Sequence, residues 1–473
     1  MSQFTRRDFL KLSAAGAIAS AIPKSIEAFA AGAAGPISVW LTAGKDRHVK
    51  QPALSWSKSA GVASGAIAIN PAEEYQEILG FGGAFTDSAC YTLNRLDAGV
   101  RKKLFRQLFH PTEMALSTGR VCMGSSDYAT RAYSYDEGYD PDPELTRFSI
   151  AHDREYILPI LREARAVNPD LWLLASPWSP PAWMKFNNSM LGGSMRRKWL
   201  DAYARYFEKF LAAYADERVR INSVTPQNEV DTDQDGRMPA CAWPQEYEIE
   251  FVRDHLGPRL AKSSTPADIW ILDHNYNLWG RVLSSLEADE MLKFVKGVAW
   301  HGYVGNAAAM TRVKKTVPKV DMFWTEGGPD FDTPGYETEW AKWGQSFTTI
   351  LRNWSRSIIA WNLALDEKGK PNIGPFNCAG MITVDSATRS IVYSGQFYAM
   401  QHFSRHIRRG AKIIQSTGDL EGIHHVIARN PDRSYTAVLT NTLTQKRSVK
   451  LQLGASAATV ELPPASMSTL SWS

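Results

Sequence analysis

The chain has 473 residues, 44% of them hydrophobic and 22% charged, and a formal net charge of +4. That length suits one large domain with a smaller companion, and the composition is globular, neither disordered nor membrane-spanning. So small a charge excludes the electrostatic footprint of a nucleic-acid binder, and no stable membrane insertion is expected.

The N-terminal stretch Thr5-Arg6-Arg7-Asp8-Phe9-Leu10-Lys11 precedes a mildly apolar run over 14–22, and Ala28-Phe29-Ala30 offers a small-x-small cleavage site. The run is too short and too rich in Ala and Gly to span a bilayer. Residues 1–30 therefore read as a twin-arginine export signal, which places the protein in the bacterial periplasm or outside the cell. The four cysteines, Cys90, Cys122, Cys241 and Cys378, are far apart and form no C-x-x-C pair. Neither a zinc site nor a dense disulfide framework is indicated.

Strand-like segments at 37–41 and 66–69 lie within 31–75. From 76 to 392 the rhythm alternates. Strands are expected at 78–85, 117–123, 171–175, 221–225, 269–272, 297–300, 320–325 and 357–363. Helices are expected at 97–109, 197–214, 245–261 and 340–354, with another capped by Asp153 that turns Tyr156, Ile157, Ile160, Leu161 and Ala164 inward. Eight strands alternating with helices predict an α/β fold, a (β/α)8 TIM barrel. A last barrel helix near 393–404 opens the C-terminal region, 393–473. Beyond it, segments at 411–416, 423–430, 435–441, 447–453, 458–462 and 467–472 alternate as strands, with turns such as Asn430-Pro431-Asp432-Arg433 between them. These predict an attached antiparallel β-sandwich, completed by the N-terminal strands and so built from both termini.

In a barrel the chemistry sits where the strands end. The residues there are Asp87, Asp127, Trp178, Asn228 with Glu229, His274 with Asn275, His301 with Tyr303, Glu326, and Trp361 with Asn362. A polar or aromatic group follows all eight strands, although any one alone reads equally well as a cap or a core residue. Glu229 and Glu326 fall on strands four and seven, across the barrel mouth. Two carboxylates with no metal motif and no nucleophilic Ser or Cys arrangement suit glycoside hydrolysis, where one acid protonates the leaving oxygen and one carboxylate meets the anomeric carbon.

Several stretches carry a closer likeness: Gly80-Phe81-Gly82-Gly83-Ala84-Phe85-Thr86-Asp87, Ala175-Ser176-Pro177-Trp178-Ser179-Pro180-Pro181-Ala182-Trp183-Met184-Lys185, Gln227-Asn228-Glu229, Leu256-Gly257-Pro258, Thr325-Glu326-Gly327 and Trp361-Asn362-Leu363-Ala364-Leu365. With His301 and Tyr303, these resemble glycoside hydrolase family 30, in the branch of the acid β-glucosidases (glucosylceramidases), over the whole mature chain. The resemblance implies an exported retaining β-glycosidase acting on a carbohydrate or glycoconjugate. Glu229 would be the acid/base, protonated in the free site, and Glu326 the ionised nucleophile. Asn228 would bind the 2-hydroxyl, Asp87, Trp178 and Trp361 the other sugar hydroxyls, and Tyr303 would stand beside the nucleophile, with His301 in the same site. No cofactor and no metal are implied.

Two departures from that branch lie on the leaving-group side. Gly302 stands where glucosylceramidases carry Trp, and an acidic loop, Asp231 to Gly236, follows Glu229. The loop imitates the start of a calcium site, but its twelfth position is Ala242 and not Glu, so it reads as a solvated loop at the cleft entrance. His424 and His425 point to opposite faces of a strand and suggest no site. Within the family, β-xylosidase, β-fucosidase and endo-β-1,6-glucanase remain alternatives. A carbohydrate-binding protein without turnover is disfavoured because both glutamates are present.

Overall fold

The computed structural model describes residues 35–59 and 65–473. The expected export signal lies outside them. Eight parallel strands close into a barrel. We number the barrel strands alone: β1 (Gly80–Phe85), β2 (Thr118–Cys122), β3 (Trp172–Ser176), β4 (Ser223–Val224), β5 (Asp268–Asn275), β6 (Val295–His301), β7 (Asp321–Glu326) and β8 (Ser355–Ala360). Closure runs from Ser357 opposite Gly80 to Ala360 opposite Gly83. A Cβ on Gly82 would lie 1.7 Å from the Thr118 carbonyl, so the close approach of β1 and β2 requires glycine there.

Three local expectations need correction. Strand four pairs over only two residues, because Pro226 has no N–H and the chain must turn into the mouth. Asp153 is not a helix cap. It sits in a 3₁₀ turn, His152–Arg154, ahead of the helix Ile157–Val167, and its buried carboxylate accepts from the hydroxyls of Tyr133, Tyr135 and Tyr214. The helix expected at 245–261 is broken by a π-helical segment, Phe251–Leu256. A three-stranded sheet, Ala364–Leu365, Ile382–Val384 and Ile391–Tyr393, was not foreseen either.

The second unit is a ten-stranded sheet drawn from both termini. Ile37–Ala43 pairs with the last strand, Ser466–Trp472, and Ala66–Glu77 pairs with Lys412–Thr417 before running on towards β1. The pairing is antiparallel except between Ala66–Glu77 and Arg447–Leu453, which is parallel. Alternation along the strands gives the sheet two buried faces. Val426, Ala428 and Val438 pack into the barrel-side core, while Ile427, Ala437 and Leu439 face a separate core with Ile37, Val449 and Leu470. The barrel helix Trp340–Arg352 lies against this sheet, where the Trp340 indole N–H donates to Ala465 O at 2.7 Å. No helix among the described residues is long and apolar enough to cross a membrane.

Candidate active site

Two bulges shape the floor of the site. Between β5 and β6, Ala299 faces Leu272 but Trp300 faces His274, which leaves Asp273 as an extra residue. Leu272 and Asp273 take φ of 75° and 48°. Between β6 and β7, Trp300 faces Trp324 but His301 faces Glu326, leaving Thr325 extra. Bulges re-aim side chains, and here Thr325 Oγ1 donates to Asp273 Oδ1 at 2.8 Å. Glu229 also holds a left-handed backbone, φ 53°, with its N–H on the Asp273 carbonyl at 2.9 Å. Such a conformation costs a non-glycine residue about 1–2 kcal/mol.

The floor is organised around Arg120 of β2, which is fully buried. Its guanidinium donates to Glu326 Oε2, to Asp273 Oδ2 at 2.6 Å, to Asn228 Oδ1 at 2.7 Å and to Ser176 Oγ at 3.2 Å. Asp273 further accepts from Ser176 and Thr225 hydroxyls, both at 2.7 Å, and lies 3.0 Å from His301 Nε2. Burial pushes the Asp273 carboxyl up, but the Arg120 charge and then His301 outweigh it and hold the group far below the usual carboxylate range.

Above this floor, the Tyr303 hydroxyl donates to Glu326 Oε1 at 3.1 Å. His301 Nδ1 stands 3.4 Å from Glu229 Oε1 and 3.7 Å from Glu326 Oε1, so one nitrogen lies between the two carboxylates. Gln234 Nε2 donates to Glu229 Oε2 at 2.6 Å, and His274 Nδ1 lies 3.6 Å from Oε1. Trp178 and Trp361 stack at 5.1 Å with 19° between their planes.

For His301, burial alone would lower the pKa, but the Glu326 charge and the contacts with Asp273 and Glu229 push it up to about 9. Glu229 is raised by burial and lowered by more through His301, His274 and Gln234, and ends below the ordinary glutamate value. The same contact thus makes the His301 imidazole more basic and the Glu229 carboxyl more acidic.

These residues open onto a cavity of about 700 Å³. Asp127, Trp178, Asn228, Glu229, Tyr303, Glu326 and Trp361 line it, and so do Gln234, His274, Asn275 and Asn377. His301 is not in the lining; it lies fully buried just beneath. Asp87, expected to bind sugar, is not in that lining either. Its carboxylate is taken up by the Thr130 N–H at 2.6 Å, the Thr130 hydroxyl at 2.8 Å, and His152 and the Tyr156 hydroxyl, both at 2.7 Å. Asp127 occupies the cavity wall instead. Burial, then the charges of Glu326 and Glu229, raises its pKa well above its ordinary value.

Sequence reasoning passed over Arg120, Asp273 and Gln234. Arg120 had a signal: a charge within an otherwise buried strand is tolerated only when it is paired. The acidic loop has no common centre. Asp231 Oδ1 pairs with His274 Nε2 at 2.8 Å, whereas Asp233 accepts from the backbone of Gly193 and Asp235.

Residues 78–407 match the glycosyl hydrolase family 30 TIM-barrel domain and residues 410–470 the family 30 beta sandwich domain. An endo-1,6-beta-D-glucanase of Neurospora crassa is 31% identical over 383 residues, 76% of this chain and 78% of its own. The lysosomal acid glucosylceramidase of Mus musculus is 29% identical over 401 residues, covering 79% and 77%. A solved endo-beta1,6-glucanase superposes with a TM-score of 0.84 at 26% identity, over 93% of this chain and all of that one. With both domains matched in order and the paired glutamates at the mouth of the barrel, the chain belongs to glycoside hydrolase family 30.

Proposed function

We propose that the protein is an exported, retaining β-glycosidase that cleaves a β-linked glucan, with Glu326 as nucleophile and Glu229 as acid/base. The observation that carries this reading is the pairing of Glu229 and Glu326 around one His301 nitrogen at the edge of the cavity. Arg120 and Tyr303 each hold one oxygen of Glu326, which fixes the carboxylate for attack on the anomeric carbon. Glu229 stands on the opposite wall with His301 behind it. Glu229 gives a proton to the glycosidic oxygen as that bond breaks. Esterification then removes the charge on Glu326, and Glu229, again a carboxylate, draws the proton from the incoming water. Asp127 and the stacked Trp178 and Trp361 hold the terminal sugar.

The cavity is also lined by Thr232, Gln234, Asn275, Asp330, Asp332 and Asn377, with Val304 and Phe376 among them. Polar groups of this kind fit the hydroxyls of a second sugar better than an acyl chain, which favours a glucan over ceramide. The relatives named as endo-1,6-β-glucanases support the same choice, and Arg6-Arg7 with the run after it supports export. The test sets β-1,6-glucan beside glucosylceramide and a panel of nitrophenyl β-glycosides, with NMR of the first product. Glucan cleavage with a β-configured product is expected. Faster turnover of glucosylceramide would overturn the glucan assignment, and an α-configured first product would overturn retention.

A further inference from the structure

We propose that Glu229, His274 and His301 also form a binding site for a late first-row divalent cation, with Zn²⁺ as the probe, and that the bound cation inhibits the enzyme. His274 Nδ1 and His301 Nδ1 are buried nitrogens without a well-directed hydrogen bond, on side chains 7% and 0% exposed. Both face Glu229 Oε1, at 3.6 and 3.4 Å. The three ligand atoms lie within 4.8 Å of one another. Around tetrahedral Zn²⁺, with bonds of about 2.0–2.2 Å, ligand atoms stand roughly 3.2–3.6 Å apart. The two pairs that include Glu229 already have that spacing. The two imidazoles reach it by a small swing of His274, which is anchored to the half-exposed Asp231.

The outer contacts are those of a metal centre. The far nitrogen of each ring is held by a carboxylate, His274 Nε2 by Asp231 at 2.8 Å and His301 Nε2 by Asp273 at 3.0 Å. A carboxylate in that position fixes the ring and leaves the other nitrogen for the cation. The charge balance agrees: Arg120 faces Asp273 and Glu326, with Glu229 and Asp231 close by. Two imidazoles suit Zn²⁺ over Mg²⁺ or Ca²⁺, which prefer oxygen ligands. Glu229 and His274 both line the cavity, so the open coordination position faces the substrate space.

Binding stands independently of the hydrolase reading, while inhibition rests on Glu229 being the acid/base. The test is equilibrium dialysis of the full chain against ZnCl₂, with Co²⁺ absorption to report imidazole ligation, and hydrolysis measured over the same concentrations. One saturable Zn²⁺ per chain is expected, unaffected by excess Mg²⁺. His274→Ala should weaken it at least tenfold, and Asp231→Asn, a milder change should His274→Ala fold poorly, about tenfold. No saturable binding, or wild-type affinity in both variants, would overturn the site. If Zn²⁺ binds, is lost from the variants and leaves hydrolysis untouched, the site stands and the acid/base role of Glu229 falls.

Discussion

Arg120 Nη2 and Asp273 Oδ2 meet at 2.6 Å with both side chains fully buried, and the same guanidinium holds Glu326 and Asn228. Burying a charge is unfavourable, and removing one member of a buried pair leaves the other uncompensated, at a cost of about 3–5 kcal/mol. Arg120→Gln should therefore lower the denaturant midpoint by that free energy and abolish turnover. Arg120→Lys keeps the charge but not the planar fork that reaches three partners. We expect it to retain most of the stability and to lose on the order of 100-fold in kcat, as for a lost electrostatic contact to a reacting group. Wild-type kcat in Arg120→Lys would show that the fork does not hold the nucleophile.

The hydrogen bonds of Asp87 lead us to expect a structural role. Burial raises its pKa, but the His152 contact and the Thr130 N–H lower it by more, so the folded value lies below the ordinary one. A carboxylate depressed in the folded state contributes stability above its unfolded pKa of about 4 and loses it as pH falls through the folded value. Asp87→Asn should cost about 1–3 kcal/mol at neutral pH, for a buried group left poorly paired, and leave KM unchanged. A raised KM with an unchanged melting temperature would return Asp87 to the sugar site.

A second acid-sensitive element lies between the sandwich and the last barrel helix. His48 Nε2 and His406 Nε2 are 3.0 Å apart, and His402 sits between the hydroxyls of Thr42 and Thr469. Trp40 covers His406, and Arg405 and Arg408 are the charges that act on the cluster from the helix side. Burial first, then Arg405, lowers His48 to about 3. Burial first, then the neighbouring imidazoles, puts His402 and His406 well below their ordinary value. A histidine depressed in the folded state binds its proton only on unfolding. Stability is therefore whole above about pH 6.5 and falls from there towards pH 3, by at most about 1.4 kcal/mol per pH unit for each ring. Melting temperature should decline across that window. His48→Gln should flatten the slope, and an unchanged slope would exclude the cluster.

How much of this was legible in the sequence depended on whether the signal was local. Strand and helix periodicity identified the barrel and the two-ended sandwich because hydrophobic alternation is written residue by residue. Asp87 and Asp127 both follow a barrel strand, and nothing in the sequence separates them. Asp87 opens the helix Asp87–Asn94, whose first turn carries it to His152 and Tyr156, whereas Asp127 stays in the loop that lines the cavity. The bulge at Asp273 was equally invisible, since it depends on how β5 registers against β6. Arg120 was readable in principle, but its partners come from β3, β5, β7 and the loop after β4, and only the closed barrel brings them together.

Retention by Glu326 and Glu229 is the most exposed prediction. Both Glu229 Oε1 and Glu326 Oε1 lie within 4 Å of His301 Nδ1, which favours the separation of about 5–5.5 Å of retaining enzymes over the roughly 6.5–9.5 Å that must also admit a water. If Glu326 forms the glycosyl ester, Glu326→Ala is inactive on every substrate, and azide, entering the vacated space, gives the glycosyl azide of inverted configuration. If Glu229 is the acid/base, Glu229→Ala keeps its first step on substrates whose leaving group needs no proton, such as dinitrophenyl glycosides, and loses it on glucan. Its ester then accumulates, and azide releases it with retention and a faster steady state. Glu229→Ala turnover that is equally poor on both kinds of substrate and insensitive to azide would remove Glu229 from proton transfer. An inverted azide product from that variant would exchange the two roles.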